Sequence, residues 1–321
     1  MDIVYDGSMD PRAFKDVLGQ TIRQLSAEDP DVIYLDADLM SCIGTCQWSA
    51  ENPARGINCG ISEANMIGVA CGLAATGYKP IVHTFGPFAS RRVFDQVFLS
   101  AGYAKNDITV IGTDPGVCAA FNGGTHMPFE DIALYRTIPS ATIVDITDAN
   151  MLISVLRQLK DMPGVKYLRV GRKSAAKVFA DGAETPVGPA IVLKEGKDVA
   201  LLASGIMVHE AMQAAKQLEA EGIGAAVVNV FTIKPLDADT VKKYARQCKN
   251  IVVAENHNRI GGLYSAVCEC LARENLARVD VVAVNDEYGE VGPQDYLQKR
   301  FGLTAGHIRE TALRLVRPSA E

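Results

Sequence analysis

The sequence has no apolar run near the roughly 20 residues needed to cross a bilayer, and no cluster of lysines and arginines. The first absence argues against a membrane-spanning helix, and the second makes nucleic acid and anionic membranes poor partners. The N-terminus, Met1-Asp2-Ile3-Val4-Tyr5-Asp6, lacks a basic segment followed by an apolar one. No secretory signal is therefore expected, and a cytoplasmic location is. Eight cysteines are present, yet neither Cys42 with Cys46 nor Cys268 with Cys270 repeats at zinc-site spacing, and no His stands at the usual offset. No metal site of this chain's own is expected. The thiols are read as small, partly buried side chains of a reducing compartment. Long-period repeats and low-complexity tracts are absent too.

What is there is a chain of 321 residues, 48% hydrophobic, with a net charge of −6 and both signs interspersed. That length is enough for two domains with cores of their own. Apolar groups at helical spacing run from Phe14 to Leu25. Short apolar runs then alternate with helix-length segments: Val32 to Leu35, Pro80 to Thr84, Ile108 to Gly112, Ala141 to Val144 and Tyr167 to Val170. This texture predicts an α/β fold with a doubly wound parallel sheet. Ser62 is read as the N-cap of a helix rich in Ala and Gly, ending at Thr76 with Gly77 as its stop. From about Arg172 to Lys197 prolines and glycines break all periodicity, which predicts a linker between domains at 1–185 and 190–321. The second domain is again α/β, smaller, with strands at Val199 to Ala203, Ala225 to Val230 and Ile251 to Ala254, and a helix opened by Gly261-Gly262-Leu263.

Three strand-end segments carry the chemistry. Gly60-Ile61-Ser62-Glu63-Ala64-Asn65-Met66 puts a Glu in the first turn of the Ala/Gly-rich helix. Read alone, it is a first-turn acid favoured by the helix dipole, worth about 0.3–1 kcal/mol. His83-Thr84-Phe85-Gly86-Pro87-Phe88 places two aromatics after a strand, where core packing is the ordinary reading and a ligand site the alternative. Gly112-Thr113-Asp114-Pro115-Gly116 leads through Asn122-Gly123-Gly124 to Thr125-His126-Met127-Pro128, a glycine-rich loop with one His. Each is weak evidence by itself.

Together, in this order, they resemble the transketolase family of thiamine diphosphate enzymes, and in particular the C-terminal subunit of split transketolases. Leu35-Asp36-Ala37-Asp38-Leu39 and, in the second domain, Glu255-Asn256-His257-Asn258-Arg259-Ile260-Gly261-Gly262-Leu263 fit the same resemblance. It implies a pyrimidine-binding domain followed by a transketolase C-terminal domain, and ketol transfer from a ketose phosphate to an aldose phosphate. Glu63 then matches the acid that hydrogen-bonds N1′ of the aminopyrimidine. Phe85 and Phe88 match the aromatics lining that ring's pocket, with Arg91 where a third aromatic usually stands. His126 matches the His facing cofactor and sugar, and Asp38 a residue at the cleft mouth. Thr113 takes the place of a substrate-phosphate His, Asn122 that of an Asp reading a sugar hydroxyl, and Arg91 and Arg169 are candidates for an anionic group. His83 and His257 are read as structural. For Glu63 to act as a proton donor its pocket must close on it, since burial favours the neutral acid and the helix N-terminus the anion.

The family's diphosphate motif, Gly-Asp-Gly followed by Asn-Asn, is missing from the chain. The resemblance therefore implies that Mg²⁺ and the diphosphate are held mainly by a separate N-terminal subunit, in an α₂β₂ assembly. Three other readings stay open: the beta subunit of a 2-oxoacid dehydrogenase decarboxylase, a deoxyxylulose phosphate synthase, and a non-catalytic assembly subunit that has kept the fold.

Overall fold

In the computed structural model, which describes residues 2–317, two sheets organise the chain. The first contains β1 (Val32–Asp36), β2 (Gly56–Asn58), β3 (Lys79–Phe85), β4 (Ile108–Thr113), β5 (Thr142–Asp145) and β6 (Val165–Val170). The second contains β7 (Ile191–Lys194), β8 (Val199–Ala203), β9 (Ala225–Asn229), β11 (Asn250–Asn258) and β12 (Arg278–Val284). Between β9 and β11 in sequence, β10 (Thr232–Lys234) leaves the second half and adds an antiparallel edge to β5. The sheet orders are β10-β5-β6-β4-β3-β1-β2 and β12-β11-β8-β9-β7.

Apart from β10 and the antiparallel edge strand β7, all pairings are parallel. That explains the unbroken apolar runs: helices cover both faces, so β1, β4, β6, β8 and β9 are buried at every residue. The helix Phe14–Glu28 turns Phe14, Val17, Leu18, Ile22 and Leu25 inward. Each such side chain contributes about 1.5–3 kcal/mol by leaving water. One core cluster runs from Phe14 through Leu168 to Ala312, so the two halves share packing rather than hanging from a loose linker.

Two local expectations change. Ser62 stands at the N-cap of helix Glu63–Ala75, but its side chain makes no capping bond. The stretch read as aperiodic linker contains β7, a short edge strand with only its first residue buried. No helix among the described residues is long and apolar enough to cross a membrane, and the eight cysteines are free thiols.

Strand register brings the chemistry-bearing segments level. Asp36 pairs with Asn58 and with His83, Phe85 with Thr113, and Thr113 with Val170. The carboxyl ends of β1, β2, β3, β4 and β6 therefore form one rim, where open α/β sheets bind ligands.

Candidate active site

Glu63 is carried to this rim by the first turn of its helix and is 3% exposed. Phe85 ends β3, and Phe88 follows one turn later on the short helix Gly86–Ser90. Their ring centroids lie 6.2 Å apart. His126 closes the group edge-on, 6.1 Å from Phe85 and 5.2 Å from Phe88, at interplanar angles of 71° and 72°. Thr125 Oγ1 lies 2.9 Å from His126 Nδ1 and orients the ring. Two aromatic rings and one imidazole thus form one cluster on the rim to which Glu63 is carried.

The rest of the expected set divides. Asp38 is exposed two residues past β1 and accepts a 3.0 Å hydrogen bond from Asn58 Nδ2, the last residue of β2. Asn122 is exposed on the rim, four residues before His126. Three candidates are placed otherwise. Thr113 is wholly buried, its hydroxyl 3.2 Å from His83 Nε2, so it offers nothing to a substrate. Arg169 is also wholly buried, pairing with Asp131 at 2.7 Å and Asp145 at 3.0 Å, and it too is withdrawn from the substrate. Arg91 turns away from the aromatic pair: it donates to Thr125 O at 2.9 Å and lies 3.2 Å from Glu130, bracing the His126 loop.

Two residues that the sequence reading did not single out stand at the site instead. Arg92 donates from Nη1 to Glu63 Oε1 at 2.7 Å, and its Cζ lies 3.9 Å over the Phe88 ring. The closure of the Glu63 pocket that the sequence reading called for is supplied in part by a cation. Arg172, two residues beyond β6, reaches back to the rim. Its Nε pairs with Asp114 Oδ2 at 2.5 Å and its Cζ lies 5.0 Å from the Phe85 ring. Burial pushes the Asp114 carboxyl up to about 6, against the pull of Arg172. The available signal was position: Arg172 is the first cation past the end of an all-buried strand. A cavity of about 250 Å³ lies on the far side of Arg172, lined also by Lys173, Ser174 and Glu210, but it touches neither Glu63, Phe88 nor His126.

Beneath the rim a fully buried network fixes the strand ends. His83 Nδ1 lies 2.6 Å and the Tyr34 hydroxyl 2.5 Å from Asp36 Oδ2, and Asp36 Oδ1 accepts from the Leu39 amide. The second half holds the glycine-rich loop from the other side. Asn256 donates to Pro115 O at 2.9 Å and accepts from Val117 N at 3.0 Å. Asp114 and Ala120 adopt positive φ values of 59° and 48° in this loop, strain that such anchoring sustains. His257 is buried, and burial brings it down to about 4. The segment at the end of β11 thus acts as a strap.

Glu255 completes that strap by accepting from the Leu263 and Tyr264 amides at 2.7 and 2.9 Å, which caps helix Leu263–Leu271. Burial nevertheless pushes its carboxyl up to about 7. The folded state then binds more protons than the unfolded between about pH 4.5 and 7, so this contribution to stability is present below that window and is lost as pH rises through it. Glu255→Gln should remove the dependence. The wild-type minus variant stability, from urea titrations at several pH values, should fall by on the order of 1–3 kcal/mol across the window.

Close backbone contact sets the His126 loop. A Cβ on Gly124 would meet Gly289 O at 2.1 Å, and one on Gly289 would meet Met127 Sδ at 2.6 Å. Gly124→Ala must therefore push the loop off residue 289. We expect turnover to drop by about 10- to 100-fold through misplacement of His126, with little change in thermal midpoint; steady-state kinetics and calorimetry on the same preparation check this.

No group of three or more His, Cys, Asp or Glu able to hold a metal occurs among the described residues. An aromatic ring with hydrogen-bonding nitrogens fits the Glu63 pocket, because a planar guanidinium already occupies it, donating to the carboxyl and stacked on Phe88.

Residues 10–177 match the family described as "Transketolase, pyrimidine binding domain", and residues 188–308 "Transketolase, C-terminal domain". The chain is 42% identical over 312 residues to the "6-deoxy-6-sulfo-D-fructose transketolase subunit SqwH" of Clostridium sp. (strain MSTE9), covering 97% of each. It is 34% identical to the "Putative transketolase C-terminal section" of Methanocaldococcus jannaschii, over 90% of this chain and 92% of that one. A solved structure titled "Split gene transketolase, inactive beta4 tetramer" superposes with a TM-score of 0.86 at 35% identity, over 95% of this chain and 98% of that chain. The chain belongs to the transketolase family.

Proposed function

We propose that this chain is the C-terminal subunit of a two-chain, thiamine diphosphate-dependent transketolase, moving a two-carbon ketol unit from an anionic ketose to an aldose phosphate. The observation that carries the reading is Glu63, buried in its helix's first turn and joined through Arg92 to Phe88, which packs with Phe85 and His126. Bound thiamine diphosphate supplies the carbanion and the electron sink that no side chain provides. In this reading Glu63 donates to ring nitrogen N1′ and Phe85 and Phe88 flank the ring. His126 faces the reacting carbonyl, with Asp38 and Asn122 at the mouth. Arg172 takes over from Thr113, Arg91 and Arg169 the reading of the donor's anionic end.

In this reading the pyrimidine-binding unit spans 1–185 and the C-terminal unit 190–321, with β10 crossing back to the first sheet. Mg²⁺ and the diphosphate are assigned to a separate polypeptide with Gly-Asp-Gly and Asn-Asn, in an α₂β₂ complex acting in the cytoplasm. Exposed Ile61, two residues before Glu63, and exposed Phe121, next to Asn122, support a partner surface at the mouth of the site. The solved relative titled a split gene transketolase, inactive β4 tetramer, supports a partner subunit for this chain.

A relative named for a sulfonated fructose widens the donor class. Arg172 suits either anion, since a guanidinium presents its donors to phosphate and sulfonate alike. With the partner chain added, ketol transfer from xylulose 5-phosphate and from 6-deoxy-6-sulfo-D-fructose is measured against decarboxylation of pyruvate. Transfer from either ketose supports the reading. Pyruvate decarboxylation without ketol transfer would favour a 2-oxoacid dehydrogenase subunit, and no reaction an assembly protein.

A further inference from the structure

We propose that Arg92 is a displaceable stand-in for the aminopyrimidine, and that the cofactor must evict it to reach Glu63. The inference rests on the reading of Glu63 given above and adds to it a competitor that sets cofactor affinity. Its guanidinium is planar, carries N–H donors at its edge, donates to Glu63 Oε1 at 2.7 Å and lies 3.9 Å over the Phe88 ring. An aminopyrimidine read by Glu63 and flanked by Phe88 would need the same carboxyl oxygen and the same ring face, so the two occupants exclude each other.

The contact is built to be broken. Glu63 is 3% exposed and held by its helix, whereas the Arg92 side chain is 45% exposed, so the arginine can swing into solvent while the acid stays. Backbone position adds to this: Arg92 lies in the turn after helix Gly86–Ser90, outside regular structure. Its neighbour Arg91 is already committed to Thr125 O and Glu130 and does not compete for Glu63. While Arg92 is in place, the buried carboxyl has a partner and is not left uncompensated in a closed pocket. Cofactor binding exchanges one partner for another.

An occupant that must leave lowers apparent affinity by the fraction of sites it fills. Thiamine diphosphate with Mg²⁺ is titrated calorimetrically into the complex of this chain with its partner subunit, for wild type, Arg92→Ala, Arg92→Lys, Glu63→Gln and the double variant. Arg92→Ala should tighten binding by about 5- to 30-fold. Arg92→Lys, which keeps the charge but loses the planar stack, should fall between. In the Glu63→Gln background the gain from Arg92→Ala should shrink, since the charge-assisted bond that held the arginine is gone. Equal or weaker binding by Arg92→Ala, or an undiminished gain without the Glu63 carboxyl, overturns the proposal. Failure of the underlying reading looks different: Glu63→Gln alone would then keep wild-type turnover and wild-type cofactor binding.

Discussion

Glu63→Gln in the assembled two-chain enzyme should lower kcat by about 10²–10⁴-fold, the range for losing a positioned proton-transfer group. The substitution keeps the size and shape of a side chain that is 3% exposed, so packing of helix Glu63–Ala75 should survive. The amide cannot move a proton to a ring nitrogen as a carboxyl can, so the loss should appear in the chemical step. Arg92 loses its charged acceptor in the same variant, and assembly, followed by sedimentation, should be unchanged. A purely structural Glu63 at a helix N-terminus would give the opposite pattern: a stability loss of about 0.3–1 kcal/mol and full turnover.

The second large effect concerns Arg169, which should behave as a keystone of folding. It donates to Asp131 Oδ2 at 2.7 Å, Asp145 Oδ2 at 3.0 Å and Asn256 O at 3.0 Å. Tyr167 donates to the same Asp131 oxygen and Ser204 to the same Asp145 oxygen, each at 2.8 Å. Ser204 and Asn256 belong to the second half, so the cluster joins the two sheets. Burial raises Asp145, and the two carboxylates hold Arg169 firmly protonated against desolvation. Arg169→Met fills the space but leaves two buried acids without their cation. Breaking a buried pair from one side costs about 3–5 kcal/mol, and a fall of that size in urea-unfolding free energy is the expected result. Arg169→Met with wild-type stability would contradict this account of the cluster.

These two residues show what the sequence revealed and what it hid. The places of Glu63, Phe85 and Phe88 near strand ends were legible because a parallel sheet announces those ends, while their roles were implied only by the family resemblance. Unbroken apolar runs such as Val32 to Leu35 stop where the pleat leaves the core, and ligand chemistry gathers there. Arg169 and Arg172 were harder, being three residues apart near one strand end. In a strand buried on both faces no alternation tells inside from outside; the usable clue was that Arg169 sits within the apolar run Tyr167 to Val170 and Arg172 beyond it. Arg91 and Arg92 are a finer case. They are consecutive residues in the turn after helix Gly86–Ser90, and no local pattern says which one faces Glu63. The crossing of Thr232–Lys234 to the first sheet was invisible for another reason: three residues carry no period, and their partner Val144 lies almost ninety positions earlier.

The second half owes its legible motif, Glu255 to Leu263, to positioning. Asn256 holds the loop that begins at Pro115, Glu255 caps a helix, and His257 is buried. That loop ends at His126, so the second half and the imidazole are mechanically connected, and Gly124 against Gly289 is the second point of contact.

The central claim is that Glu63 is half of a site completed by another polypeptide. Ketol transfer measured for this chain alone, and then with increasing amounts of the partner chain that has Gly-Asp-Gly and Asn-Asn, tests it most directly. The account predicts no transfer by the chain alone and activity that rises to a plateau at one partner per chain. Full transfer by the chain without any partner would contradict it.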